Sequence, residues 1–363
     1  MSFINFSMTI KKAFFVGLSI TGAIVGVGFA SGREVVSFFA RFGYMSILFC
    51  VLAVILLGLL SFLIFSLNNK HEDALVEGEK RKSEKINLKN GLKAVKKPKL
   101  LFLDRFHDII LLISQVVICS AMFAGFSSAL SSLGLNSHLQ PILKIALLVM
   151  SYFYILRRPT GVYVVNLILS LFMILSVFVL FAISFRVDRI SAENLKVFEF
   201  PLLYMPMLFV GMNVFTVEPL LCEVGYSLNT KKEKILASSF IAIFVGLSLS
   251  LVCALLVYFG GDVLTRDMPM QILASRSSSV FGIIYSILLI FSIVTTLIST
   301  AYGASILIKH KVSRNMGVLL PIMFAFLFSF MGFAKIIDFV YPILGLVCII
   351  FIFTKSFTKS LHT

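Results

Sequence analysis

The chain has 363 residues, 59% of them hydrophobic and 13% charged, with a mean hydropathy of +1.02; a soluble protein carries about 25% charged residues. This composition excludes a soluble globular domain and predicts an all-α protein that crosses a membrane many times. The formal net charge of +15 invites a nucleic-acid reading, which the placement of the cations along the chain argues against.

About 20 consecutive apolar residues span a bilayer, and such runs fall near 12–41, 44–67, 105–134, 141–156, 161–185, 201–223, 234–260, 279–308, 316–333 and 336–354. The first resembles a signal peptide, with Lys11-Lys12 ahead of it and small residues at Phe29-Ala30-Ser31-Gly32. Cleavage is not expected, because the glycine-rich stretch runs straight into more apolar helix. Gly22, Gly26, Gly28 and Gly32 lie within eleven positions. A glycine costs roughly 1 kcal/mol in a helix interior, so the cluster predicts a span that is interrupted at membrane depth. Lipid cannot hydrogen-bond the freed backbone, and a break survives only beside protein or a watery cavity. Ser31-Gly32-Arg33-Glu34 fits the S-x-x-E capping box, in which Ser31 starts a new half-helix and Glu34 folds back onto it. The remaining N–H groups around Ala30, Gly32 and Arg33 would then offer a carboxylate site, with Gly26 and Gly28 allowing close approach to the backbone.

The segment 68–104 is the one sizeable polar stretch and mixes both signs of charge. It reads as a solvated helix or loop, with a regulatory or lipid-sensing role as the alternative. The third and eighth runs are long enough to imply tilt. In the third, Gln115 with Met122 and Phe123 either lines a pocket or packs in the core. Lys144, near the start of the short fourth run, is expected to snorkel to the interface.

The sixth run carries Gly211-Met212-Asn213 followed by Thr216, Glu218 and Pro219. Pro219 fits the first turn of a new helix, so a second break is expected here, with Gly211, Asn213 and Thr216 at the gap and exposed carbonyls able to hold an ammonium. Glu218 is expensive at membrane depth. It is open between capping its own half-helix, pairing with Arg33 and carrying a coupling proton; Glu223 lies nearer the loop and reads as solvated. On the eighth run Thr296, Ser299 and Thr300 share one face. Their hydroxyls either bond carbonyls one turn back or ligate Na⁺ together with the first break.

With the N-terminus in the cytoplasm, 23 of the 32 Lys and Arg fall in inner segments and 6 in outer ones, which obeys the positive-inside rule and puts both termini inside. The cations therefore set topology in a cell membrane. The five cysteines fall in apolar runs without CxxC spacing, and the five histidines are scattered near run ends, so neither a disulfide framework nor a metal centre is expected. The two expected breaks are about 185 residues apart and the long runs begin about 175 apart. Five spans followed by five inverted ones is a common transporter plan. It places spans 1–2 in residues 1–67, the basic loop in 68–104, spans 3–5 in 105–185, spans 6–10 in 201–354 and a tail in 355–363.

The stretch GAIVGVGFASGREVVSFF, residues 22–39, resembles the signature of the YkvI-like family of proposed amino-acid permeases, whose first span reads GxGFASG, then Gln or Arg, then Glu. Those proteins resemble in turn the amino acid–polyamine–organocation transporters. The resemblance implies a ten-helix LeuT-type bundle, helices one and six unwound at the site and helices one, five and eight bounding the path. Gly26, Gly28 and Gly32 match the family's first-span glycines; the residues of the expected second break match by location alone. The basic loop is longer than such a fold needs.

The expectation is a secondary transporter of an amino acid or related small amine, coupled to H⁺ or Na⁺ and needing no other cofactor. Its partners are that substrate and the bilayer. A non-transporting receptor or regulator on the same fold is the alternative. An enzyme is not expected: the sequence has no intramembrane His/Asp/Glu cluster, no GxSxG motif and no zinc signature.

Overall fold

The computed structural model describes residues 2–85, 98–157, 162–184, 204–308 and 311–360. Within them every regular element is helical. The first apolar run forms α1 (Ser2–Ile24), the one-turn α2 (Val27–Ser31) and α3 (Arg33–Phe38). Then come α4 (Ser46–Lys85), α5 (Pro98–Ser132), α6 (Leu139–Leu156), α7 (Val162–Ser184), α8 (Met205–Gly225) and α9 (Lys231–Phe259). The short α10 (Pro269–Ser277) precedes α11 (Ser279–Ile308) and α12 (Arg314–Phe328); after these, α13 (Phe333–Lys335) leads through a π-helical segment, Ile336–Val340, into α14 (Tyr341–Ser360).

Among the described residues, eight helices are long and apolar enough to cross a membrane, and α7 adds the shorter apolar stretch Ile168–Ser184. Their surfaces show what surrounds them. On α4, Ile47, Val51, Ile55, Leu59 and Leu63 are exposed, while Phe49, Cys50, Ala53, Leu57, Ser61 and Phe65 are buried. Both faces follow the helical repeat, and the outward one is as apolar as the inward one. Water would not tolerate that stripe; lipid requires it. The chain is a multi-pass membrane protein.

At 1.5 Å per residue, α5 with 35 residues and α11 with 30 run to about 45–50 Å, past the ~30 Å hydrocarbon core. The 40-residue α4 carries its helix on through the polar stretch to Lys85, so that part of segment 68–104 is helical. Residues 86–97 lie outside the described residues. So do several cations that set the expected orientation: Lys89, Lys93, Lys96, Lys97, Arg158, Arg186, Arg189, Lys196 and Lys309.

The helices pack as two groups. In one, α1, α4, α8 and α9 contact one another; in the other, α5, α6, α11 and α12 do. α7 touches both groups through α11, α1 and α9, and α14 lies between α8 and α5. Lys144 is buried and does not reach the interface as expected: its ammonium sits over the rings of Phe330 at 4.6 Å and Phe326 at 5.5 Å, an attraction that strengthens where water is excluded.

The expected break in the sixth span is absent. α8 is one helix from Met205 to Gly225 with Pro219 inside it. Pro206 lies in its first turn, where the missing N–H costs nothing, and Pro219 removes a single ladder bond without ending the helix. Gly211 serves packing: a Cβ there would strike Ile349 of α14, and one on Gly345 of α14 would strike the Leu208 carbonyl. Two glycines thus let α8 and α14 approach backbone to backbone.

Candidate functional site

The first apolar run opens where its glycines cluster. α1 ends at Ile24, and Gly26 takes an extended conformation with φ −84° and ψ −166°. Its N–H turns back to the Ile24 carbonyl at 2.8 Å. After the single turn of α2, Gly32 adopts φ +83°, a left-handed conformation that favours glycine, and α3 begins.

Three carbonyls deprived of their helical partners by this path find others. Gly22 loses the Gly26 N–H and accepts instead from the Ser170 hydroxyl of α7 at 2.8 Å. Gly28 loses the Gly32 N–H, which turns to Phe29, and accepts from the Ser31 hydroxyl at 2.8 Å. Ala30 accepts from the Tyr285 hydroxyl of α11 at 2.5 Å. Orphaned carbonyls in an apolar interior cost several kcal/mol apiece, so these three hydroxyls are what make the interruption tolerable.

Gly26 and Gly28 differ in their surroundings. Gly26 is half-buried and faces open space, with no atom within 4 Å of where a Cβ would stand. At Gly28 that position is taken by the carboxyl of Glu34, itself buried. The expected capping box therefore does not form. Gly32 is the residue ahead of α3, and Ser31 accepts from the Arg33 N–H at 3.2 Å while its own proton goes to Gly28. Glu34 reaches back past Ser31 to the space beside Gly28.

Two charged pairs stand out among the described residues, one at α3 and one between α5 and α8. Arg33 pairs with Asp338 in the π segment, and its guanidinium also donates to the carbonyls of Leu264 at 2.9 Å and Arg266 at 3.1 Å. At the other end of α8, Glu218 meets His107 of α5, with Nε2 and Oε2 2.9 Å apart. Glu218 neither caps a half-helix nor pairs with Arg33; the cation on α3 and the acid on α8 each have a different partner. The sequence reading missed Asp338 and His107, along with Tyr285 and Ser170. A signal for Asp338 was present: an acid inside the tenth apolar run is as costly as the Arg33 cation, and each identifies the other as its partner.

Asn213 is buried and donates to the Phe209 carbonyl at 2.9 Å, and the Thr216 hydroxyl donates to the Asn213 carbonyl at 3.0 Å. Both bonds stay within α8, so with Gly211 packed on α14 these residues form no gap. On α11, Ser299 donates to Thr296 at 3.0 Å and Thr300 donates to the same carbonyl at 2.8 Å, the bonding one turn back that hydroxyls in membrane helices favour. Thr296, Ser299, Thr300 and Gly303 are half-buried along one face. The Gln115 carboxamide lies beside Gly303 and the Cys119 thiol hydrogen-bonds Thr300, which gives α5 and α11 a shared polar strip.

Beyond Arg33, a cavity of about 750 Å³ is lined by Ser128, Gln140, Arg266, Asp267, Gln271 and other polar residues. It shares Arg266 with the Arg33 contacts, and Ser128 donates to Asp267 at 2.7 Å.

No protein-family profile matches the chain. It is similar to the uncharacterized membrane protein YkvI of Bacillus subtilis strain 168, with 21% identity over 345 residues, 91% of each chain. The likeness extends far beyond the glycine motif to nearly the whole length of both proteins.

Proposed function

We propose that this chain is a secondary transporter of an amino acid or related small amine, coupled to an ion and working by alternating access. The observation that carries the reading is the opening of the first apolar helix at Gly26, beside open space, with the orphaned carbonyls supplied by side chains of α7 and α11. An interruption of this kind is where transporters hold their substrates. The substrate carboxylate sits in the open space beside the extended backbone of Gly26, ahead of the first turn of α2. The polar strip of Thr296, Ser299, Thr300 and Gln115 lies farther along α11, Thr296 being eleven residues or about 16 Å from Tyr285.

In this reading the molecule has ten spans in two inverted sets of five, with both termini in the cytoplasm and one interrupted helix. The second half contributes an unbroken helix, α8. Arg33–Asp338 then closes the outer side and the His107–Glu218 contact the inner side, so that transport alternately parts the two helix groups at each end. The YkvI-like likeness is consistent with this plan and names no substrate.

The test is uptake by proteoliposomes offered a mixture of labelled amino acids, with the protein native or carrying Gly26→Leu. The extended backbone at Gly26 does not require glycine, and a Cβ there meets no clash. Uptake should fall at least about tenfold, a loss of ~1.4 kcal/mol of binding, with the thermal unfolding midpoint unchanged. Undiminished uptake in Gly26→Leu removes the site, and no uptake by the native protein removes the transport reading in favour of a ligand-sensing role.

A further inference from the structure

The His107–Glu218 pair has features that a structural contact alone does not need. It joins α5 of one helix group to α8 of the other over a short stretch of contact, at the end of the molecule opposite Arg33–Asp338. Both side chains are mostly enclosed, with 17% and 14% of their surfaces exposed. The imidazole lies edge-on to Phe215 at 5.3 Å and beside Phe351 of α14 at 5.4 Å, so rings from two helices keep water from it. Among the described residues, the titratable groups around the pair are Asp108, whose carboxyl is 3.6 Å from the other imidazole nitrogen, the Cys348 thiol of α14, which interacts with Glu218 and hydrogen-bonds Ser114, and Cys222 one turn along α8.

We propose that His107 and Glu218 form the binding site of the coupling proton in this transporter. The inference rests on the transport reading and names the ion that the reading leaves open. While α5 and α8 are in contact, the proton lies between Nε2 and Oε2, whichever of the two atoms it is written on, and the pair carries no net charge. Loss of the proton leaves the pair with a net negative charge at a mostly enclosed position, which is costly and weakens the contact. Separation of α8 from α5 exposes both groups to water, where the proton leaves as hydronium. Proton binding and closure of this end are therefore linked, each favouring the other by the same free energy. No bond other than those to the proton is made or broken.

The experiment has one arm that needs no substrate. Infrared difference spectra of the full chain in lipid nanodiscs are recorded on a jump from alkaline to acid pH, for the native protein, His107→Gln and Glu218→Gln. Glutamine at 107 retains an N–H donor for Glu218 and cannot take up a proton, so it separates proton binding from contact. Glu218→Gln should remove the carboxyl signal of the pair, and His107→Gln should move it to a different pH, because Glu218 then titrates without the ring that shares its proton. A spectrum that Glu218→Gln alters and His107→Gln leaves intact, or that neither alters, overturns the proposal. In the second arm, vesicles with an imposed pH gradient should accumulate labelled amino acid when they hold the native protein; either variant should lose that accumulation and retain exchange of internal for external amino acid. Gradient-driven accumulation surviving in both variants overturns the proton site and leaves transport standing. Absence of any uptake by the native protein removes the transport reading, and with it the coupling role, whatever the spectra show.

Discussion

Gly28 and Glu34 constrain each other, because the space a methyl group would need at residue 28 is filled by a carboxyl. Gly28→Ala should lower the thermal unfolding midpoint, and Glu34→Ala introduced alongside it should restore much of the loss. A double-mutant cycle would then show coupling of about 0.5–3 kcal/mol; additive effects would mean that the two residues do not touch. The same residues show why a motif can be present in the sequence and unformed in the structure. Ser31-x-x-Glu34 and Thr230-x-x-Glu233 fit one pattern. At Thr230 the box forms, with the threonine hydroxyl accepting from the Glu233 N–H at 3.1 Å and the Glu233 carboxylate accepting from the Thr230 N–H at 3.2 Å. At Ser31 the intervening Gly32 turns left-handed, the serine remains in the preceding turn and its hydroxyl is committed to Gly28. Spacing alone cannot register that difference, since it depends on one backbone angle.

Glycine and proline had unequal worth as signs of a broken element. The cluster of glycines in the first run marked a true interruption, because Gly26 and Gly32 each adopt a conformation outside the helical range. In α8, Gly211 is helical and kept small by its neighbour on α14, while Pro219 costs one ladder bond. Which neighbour a small residue touches is a tertiary fact that no local pattern contains. A test follows for α8. If Pro219 is only an irregularity in a continuous helix, Pro219→Ala should restore the missing bond and raise the unfolding midpoint, by an amount bounded by the ~3 kcal/mol that an interior proline costs. A fall in the midpoint together with lost uptake would mean that this helix does open during function. The polar stretch after the second span was legible by its composition alone; that α4 continues through it to Lys85 was left open between helix and loop.

For the whole molecule, the all-helical, multi-pass character and the lipid exposure were legible because hydropathy reports the solvent around a helix directly; the ten runs read from sequence stand against eight helices that meet the length and hydropathy of a span among the described residues. The division into two groups was not, because pairings between helices of nearly uniform apolarity leave little trace in sequence. Under the alternating-access proposal, Arg33–Asp338 is a tie between α3 and the segment ahead of α14, reinforced by two backbone carbonyls. Asp338→Asn should weaken it and favour separation at that end. Spin labels on Ile47→Cys and Phe330→Cys, both exposed and one on each side of the tie, read out the change by electron–electron resonance, with Cys222 replaced to limit background labelling. The distance distribution should gain a longer component in Asp338→Asn. Identical distributions in the two proteins would mean that the pair holds nothing apart from itself.

Asp338 owes its position to the π-helical turn at Ile336–Val340. Such a turn accommodates one residue more than the α-helical count allows, at a cost in hydrogen-bond geometry, and so resets the angular bearing of everything after it by about 100°, the arc of one α-helical residue. The faces of the last helix that carry Gly345 toward α8 and Phe351 toward His107 are thereby indexed to the same irregularity that presents the aspartate to Arg33. A chain shortened by one residue there would aim both contacts elsewhere, so the Arg33 and His107 ends of the molecule are kept in phase by a single surplus residue.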